Sequence, residues 1–71
     1  MEFEKVRSST ISTVGYDDAE KVLGVQFRNG SEYHYLAVPK ALFEGLRAAP
    51  SVGSYLNKYI KEAGYQFRRV R

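Results

Sequence analysis

The chain has 71 residues, 44% of them hydrophobic and 27% charged. At this length folding withdraws only roughly 60% of the unfolded chain's surface from water. One compact domain over residues 1–71 is therefore the limit, and every large apolar side chain has a strong claim on its core. With no Cys and one His, a disulfide framework, a thiolate zinc site and a cysteine nucleophile are excluded, and little remains from which to build a metal cluster. A non-catalytic binding module without a cofactor is the expectation. No apolar run approaches the roughly 18 residues of a membrane span. Met1-Glu2-Phe3-Glu4 also lacks the basic and apolar regions of a secretory signal, so a cytoplasmic location without membrane contact is expected.

The net charge of +3 is unevenly spread. Residues 1–57 hold six basic and seven acidic side chains, whereas residues 58–71 hold Lys58, Lys61, Arg68, Arg69 and Arg71 against Glu62 alone. The positive field lies in the last fifth of the chain and favours an anionic partner, although short basic tails also serve solubility.

In chain order, Thr10 to Tyr16 reads as a first strand. Val14 and Tyr16 share strand spacing, while Ile11 is out of phase unless a bulge near Ser12 or Thr13 restores it. Asp17-Asp18-Ala19-Glu20 suits a turn in which aspartate side chains bond nearby amides. Lys21 to Phe27 is a second strand with Leu23, Val25 and Phe27 on one face. Asn29-Gly30 then forces a choice of register. A two-residue turn would put Tyr33 and Tyr35 on the face opposite those three residues. A type I turn through Arg28 and Asn29, with Gly30 in a left-handed bulge position, pairs Phe27 with Ser31, Val25 with Tyr33 and Leu23 with Tyr35. The second register gathers five large side chains on one face and leaves Gln26 and His34 on the other; in so small a core it is preferred.

Val38-Pro39 ends the third strand and opens a helix carrying Leu42, Phe43, Leu46 and Ala49. Ala49-Pro50 breaks it. Ser51 suits the N-cap of a second helix whose stripe is Val52, Tyr55, Leu56, Tyr59, Ile60 and Ala63, ending at Gly64. Tyr65 and Phe67 alternate with Gln66 and Arg68, as in a short terminal strand or an extended tail. The predicted fold is α+β: a three-stranded antiparallel meander packed on one face by two C-terminal helices, in the order β-β-β-α-α, with an extended tail.

Ser8-Ser9, Ile11, Val14-Gly15-Tyr16-Asp17, Leu23-Gly24-Val25-Gln26-Phe27, Gly30, Tyr33-His34-Tyr35, Val38-Pro39, Leu46 and Ser51-Val52-Gly53-Ser54-Tyr55-Leu56-Asn57 together resemble the KTSC domain. That family is named for its place at the C-terminus of some lysyl-tRNA synthetases, occurs also as short stand-alone bacterial proteins, and is marked by a central Tyr-x-Tyr. The likeness covers roughly residues 8 to 68. It implies a link to RNA by association with a tRNA enzyme, and no catalytic residue.

The Tyr33 and Tyr35 rings suggest a stacking platform for bases, but the chosen register points both toward the helices as core. It also places Gly24 on the open face, where a flat partner could approach the backbone. His34 beside it has no evident orienting group and reads as an exposed strand residue. Asp17, Asp18 and Glu20 are explained by a turn.

Ser51, Gly53 and Ser54 form the best localised candidate, since free amides and hydroxyls there could hold an anion; ordinary capping by Ser51, with Gly53 allowing close packing, is the alternative. Asn57, Lys58 and Lys61 extend the same polar helix face, and Arg68 and Arg69 continue it as one anion-attracting strip. The leading expectation is a module binding RNA, tRNA-like or single-stranded, mainly through phosphates. The rival is a protein-interaction adaptor using the open sheet face or a strand edge, with the Tyr65 to Val70 segment added to a neighbouring sheet. The oligomeric state stays open.

Overall fold

A computed structural model describes residues 1–71. Five strands, β1 (Glu2–Lys5), β2 (Ile11–Asp17), β3 (Val22–Phe27), β4 (Glu32–Tyr35) and β5 (Phe67–Arg69), form one antiparallel sheet whose spatial order follows the chain. Between β4 and β5 lie α1 (Lys40–Ala48) and a second helix, α2, which opens with an α-helical turn (Val52–Tyr55) and continues as a π-helix (Leu56–Lys61). No helix is long and apolar enough to cross a membrane.

The three-stranded prediction undercounts the sheet by one strand at each edge. β1 pairs Phe3 with Gly15 and Glu4 with Val14, although Glu2-Phe3-Glu4-Lys5 contains a single apolar residue and shows no strand alternation worth reading. The tail pairs with β4 of its own sheet, Tyr35 opposite Phe67 and Tyr33 opposite Arg69, so this segment is already used within the chain.

The central strands follow the expected register. Ile11 faces Phe27 and Thr13 faces Gln26, so Ser12 is the extra residue of a bulge, and Ile11 is fully buried. Leu23 pairs with Tyr35 and Val25 with Tyr33. The Gly30 N–H donates to the Phe27 carbonyl at 3.0 Å, and Gly30 has φ +94°, where a side chain would be strained. Asp17 Oδ1 accepts from the Ala19 and Glu20 amides at 3.0 and 3.1 Å, closing the β2–β3 turn.

One face of the sheet packs on the helices: Ile11, Val14, Leu23, Val25 and Tyr35 meet Phe43, Leu46, Val52, Leu56 and Ile60 in one core cluster, joined by Val38. Tyr16 is tied in from the rim. Its ring stacks on Phe43 at 5.2 Å, and its hydroxyl donates to the Val38 carbonyl. Burial, reinforced by Asp18, pushes the Tyr16 phenol up. Pro39, expected as the first helical residue, is instead the N-cap of α1 with φ −63° and ψ 144°, and the helix begins at Lys40.

The stripe expected along α2 is narrower than its sequence suggests. Val52, Leu56 and Ile60, each four residues apart, are buried, whereas Tyr59 is 44% exposed and Ala63 is exposed. A π-helix bonds each amide to the fifth residue before it, as the Glu62 N–H does to the Asn57 carbonyl at 2.9 Å. The wider turn brings four-residue spacing onto one line and rotates Tyr59 out of the core, where it lies against Tyr55 at 4.6 Å.

Candidate nucleic-acid interface

The start of α2 lies against the loop between β1 and β2. Ser51 caps the helix, its Oγ accepting from the Ser54 N–H at 3.3 Å and donating to Ser54 Oγ at 3.0 Å, as the capping reading requires. A Cβ on Gly53 would sit 3.4 Å from Thr10 Oγ1, an ordinary contact, so close packing alone does not demand glycine there. Opposite, Ser8 Oγ accepts from the Thr10 and Ile11 amides at 3.2 and 3.1 Å, which folds the loop into a compact hydroxyl-bearing turn. Arg28, at the end of β3, holds that turn by donating from Nε to the Ser8 carbonyl at 2.7 Å, while the Arg28 N–H donates to the Thr10 carbonyl at 2.9 Å.

These elements enclose an open cleft. Ser51, Gly53, Ser54 and Asn57 form one wall, and Arg7, Ser8, Ser9, Thr10 and Arg28 form the other. It continues past Asn57 to Lys61 and Phe27. Three cations, Arg7, Arg28 and Lys61, border it, and no carboxylate does. Hydroxyls and guanidinium and ammonium groups without an acid among them are the donor set that a phosphate requires.

Of the expected site residues, Ser51, Gly53, Ser54, Asn57 and Lys61 are therefore brought together. Lys58 lies just around the helix, in a hollow shared with Ser51, Ser54, Tyr55 and Tyr59, its Nζ 5.4 Å from the Tyr59 ring centroid. Arg68 and Arg69 do not continue a single strip. Arg68 pairs with His34 on the face away from the helices, whereas Arg69 pairs with Tyr33 and shares the helix side. Alternation along β5 separates these neighbours onto opposite faces. Arg7 and Arg28 were not among the expected residues, because both lie in the part of the sequence whose charges nearly cancel; folding brings them to the cleft and leaves the acids elsewhere.

Tyr33 and Tyr35 also part company. Tyr35 is 3% exposed and buried within the core, which raises its phenol pKa. Tyr33 is half-buried and, with Phe27, Tyr35, Tyr65 and Phe67, lines an aromatic hollow of about 450 Å³ beside Lys61.

The open face carries a second polar group. Glu32 Oε1 accepts from Gln26 Nε2 at 2.8 Å and from Arg71 Nη2 at 3.2 Å, and Glu32 Oε2 meets His34 Nε2 at 2.8 Å. Thr13 donates to Gln26 Oε1 and extends the chain across three strands. The Gln26 hydrogen bond is the main cause holding the Glu32 carboxyl below its ordinary range; His34 and Arg71 add to it against burial. His34 thus has an orienting carboxylate that was legible in the sequence, since residues two apart on a strand share a face. Beside it, Gly24 does admit a flat group, and that group is the chain's own Phe3 ring, with the Met1 side chain alongside.

Fold and site together define a small α+β domain with a five-stranded antiparallel sheet backed by two helices, its charged cleft set where the second helix meets the first strand connection. The chain belongs to the KTSC domain family, whose model matches residues 7–65. It superimposes on the crystal structure of a KTSC domain protein from Yersinia pestis with a TM-score of 0.91 at 32% identity, covering 99% of this chain and 97% of that one. A protein of Tsukamurella paurometabola is 41% identical over 67 residues, 94% of this chain and 96% of its own length. A lysine–tRNA ligase of Nostoc punctiforme is 39% identical over 57 residues, which are 80% of this chain but 10% of the ligase.

Proposed function

We propose that this domain is a non-catalytic module that binds RNA through phosphate contacts in the cleft between α2 and the β1–β2 loop. The observation that carries the reading is the composition of the cleft border: Arg7, Arg28 and Lys61 among hydroxyls, with no carboxylate. The likeness to a segment of lysine–tRNA ligases supports RNA as the polyanion. Lys58 flanks the entrance. Arg28 keeps its terminal nitrogens for a ligand while its Nε holds the loop. Arg68, on the other face, is not assigned to the RNA-binding surface.

Salt dependence tests this directly, because each neutralised phosphate releases counterions. Binding of the protein to a tRNA and to an unrelated single strand is measured from low to moderate salt. Replacing Arg7, Lys58 and Lys61 by Gln lowers the log–log slope by roughly 0.7 for each single-strand phosphate that the protein no longer neutralises. Replacing Arg68 by Gln leaves the slope nearly unchanged. Equal slopes for the triple variant and the native protein overturn the assignment and favour the adaptor alternative.

A further inference from the structure

We infer that the aromatic hollow beside Lys61 takes one unpaired base of a single-stranded RNA whose phosphates occupy the adjoining cleft. The inference rests on the phosphate reading of that cleft and adds what the base does.

Continuity is the first ground. Phe27, Asn29 and Lys61 line both the cleft and the hollow, so a strand leaving the Ser51–Asn57 wall passes directly to the rings. The second ground is the shape of the aromatic wall. Tyr33 and Tyr35 lie near-parallel at 6.4 Å, Phe27 meets Tyr33 edge to face at 5.7 Å, and Phe67 is tilted by about 45° to both tyrosines at 5.7 Å, so the differently oriented rings line an open hollow. Phe67 remains 58% exposed, which leaves a ring face available to a base.

Polarity is the third ground and separates a base from an apolar peptide side chain. The hollow has no carboxylate, and Lys61 Nζ stands 5.4 Å from the Phe27 centroid at its mouth. Asn29 Oδ1 accepts from the Ser31 N–H at 3.0 Å and from Ser31 Oγ at 2.7 Å, which fixes the amide orientation. The Asn29 NH₂ group therefore points away from that turn as a donor suited to a base carbonyl or ring nitrogen. An apolar side chain would cover the rings and leave these donors and the adjoining cations unmatched. A duplex cannot deliver a base here, because its base faces are already stacked and its pairing edges occupied.

The test compares a short single-stranded RNA, an abasic strand of equal backbone charge and a duplex, read by tyrosine fluorescence, since the chain has six Tyr and no Trp. The native protein binds the RNA about tenfold or more tighter than the abasic strand. Phe67→Ala removes that difference and leaves abasic affinity and salt slope unchanged; Phe67→Tyr restores it. Thermal melting confirms that both variants fold, and in the native protein the side-chain amide of Asn29 shifts with the RNA but not with the abasic strand. Equal native affinity for the two strands overturns the base site while leaving the phosphate site standing. Binding to neither strand at low salt overturns both. Uptake of an apolar peptide in place of RNA overturns the base site in favour of a protein partner.

Discussion

Glu32 and His34, two residues apart on β4, meet at 2.8 Å on the sheet face that the helices leave open, and the same carboxylate takes the Arg71 guanidinium at 3.2 Å. The tail is thereby held to β4 by side chains as well as by the backbone bonds between Glu32 and Val70 and Arg71. Because the Glu32 carboxyl is held below its ordinary range, chiefly by Gln26, its contribution to stability is complete above the ordinary carboxylate pKa and is lost as pH falls through its own lower value. Glu32→Gln should cost about 1.5 to 3 kcal/mol at neutral pH, the range for hydrogen bonds to a charged group. It should also flatten the acid limb of the stability curve. Urea denaturation of both proteins from neutral pH into the acid range checks this, and parallel curves would count against it.

Tyr33 and Tyr35 should respond differently to truncation. Tyr35→Ala empties a buried position and should cost about 3 to 5 kcal/mol, enough to unfold so small a domain. Tyr33→Ala removes a half-buried ring and should cost distinctly less, leaving a folded protein. Circular dichroism and thermal melting separate the outcomes; equal losses would mean that the hollow is part of the core.

The π-helical turn makes a similar distinction along α2. Leu56→Ala and Ile60→Ala should each cost about 2 to 5 kcal/mol, whereas Tyr59→Ala should cost less than about 1 kcal/mol. Denaturant midpoints measure this. A large loss at Tyr59 would indicate a regular α-helix with the broader stripe.

At Gly24 an added Cβ would lie 2.6 Å from Met1 Sδ and 2.8 Å from the Phe3 ring. Gly24→Ala should displace β1 at a cost of about 1 to 3 kcal/mol. Amide exchange should quicken across Glu2–Lys5 while the central strands stay protected. Phe3→Ala should relieve the part of the cost that comes from the ring, so the double variant should be less destabilised than the two single effects added. Additive losses, or exchange that quickens throughout the sheet, would reject this explanation.

The parts of the fold legible in the sequence were those set by short-range chemistry. Asn29-Gly30 and two-residue alternation determine the β3–β4 register, and the phase slip after Ile11 marks the bulge. β1 was not legible, because its placement depends on Gly15 and Gly24, which lie in β2 and β3 and give Met1 and Phe3 room to lie across the sheet. The π-turn was hidden because Val52, Leu56 and Ile60 also fit within a helical stripe that includes Tyr55 and Tyr59. The cleft was half legible: Ser51 to Lys61 follow from one helix face, but Arg7 and Arg28 reach it only through the pairing of β2 with β3.

Because sheet order follows chain order, three of the four strand pairings join segments separated only by turns or short loops, while β4 and β5 are separated by both helices. Loop-closure entropy makes that last pairing the costliest of the four to close. Opening it would also part Phe67 from Tyr33 and Arg71 from Glu32. The aromatic hollow therefore depends on the one long-range pairing of the sheet, and a ligand seated in it would hold the two ends of that pairing together.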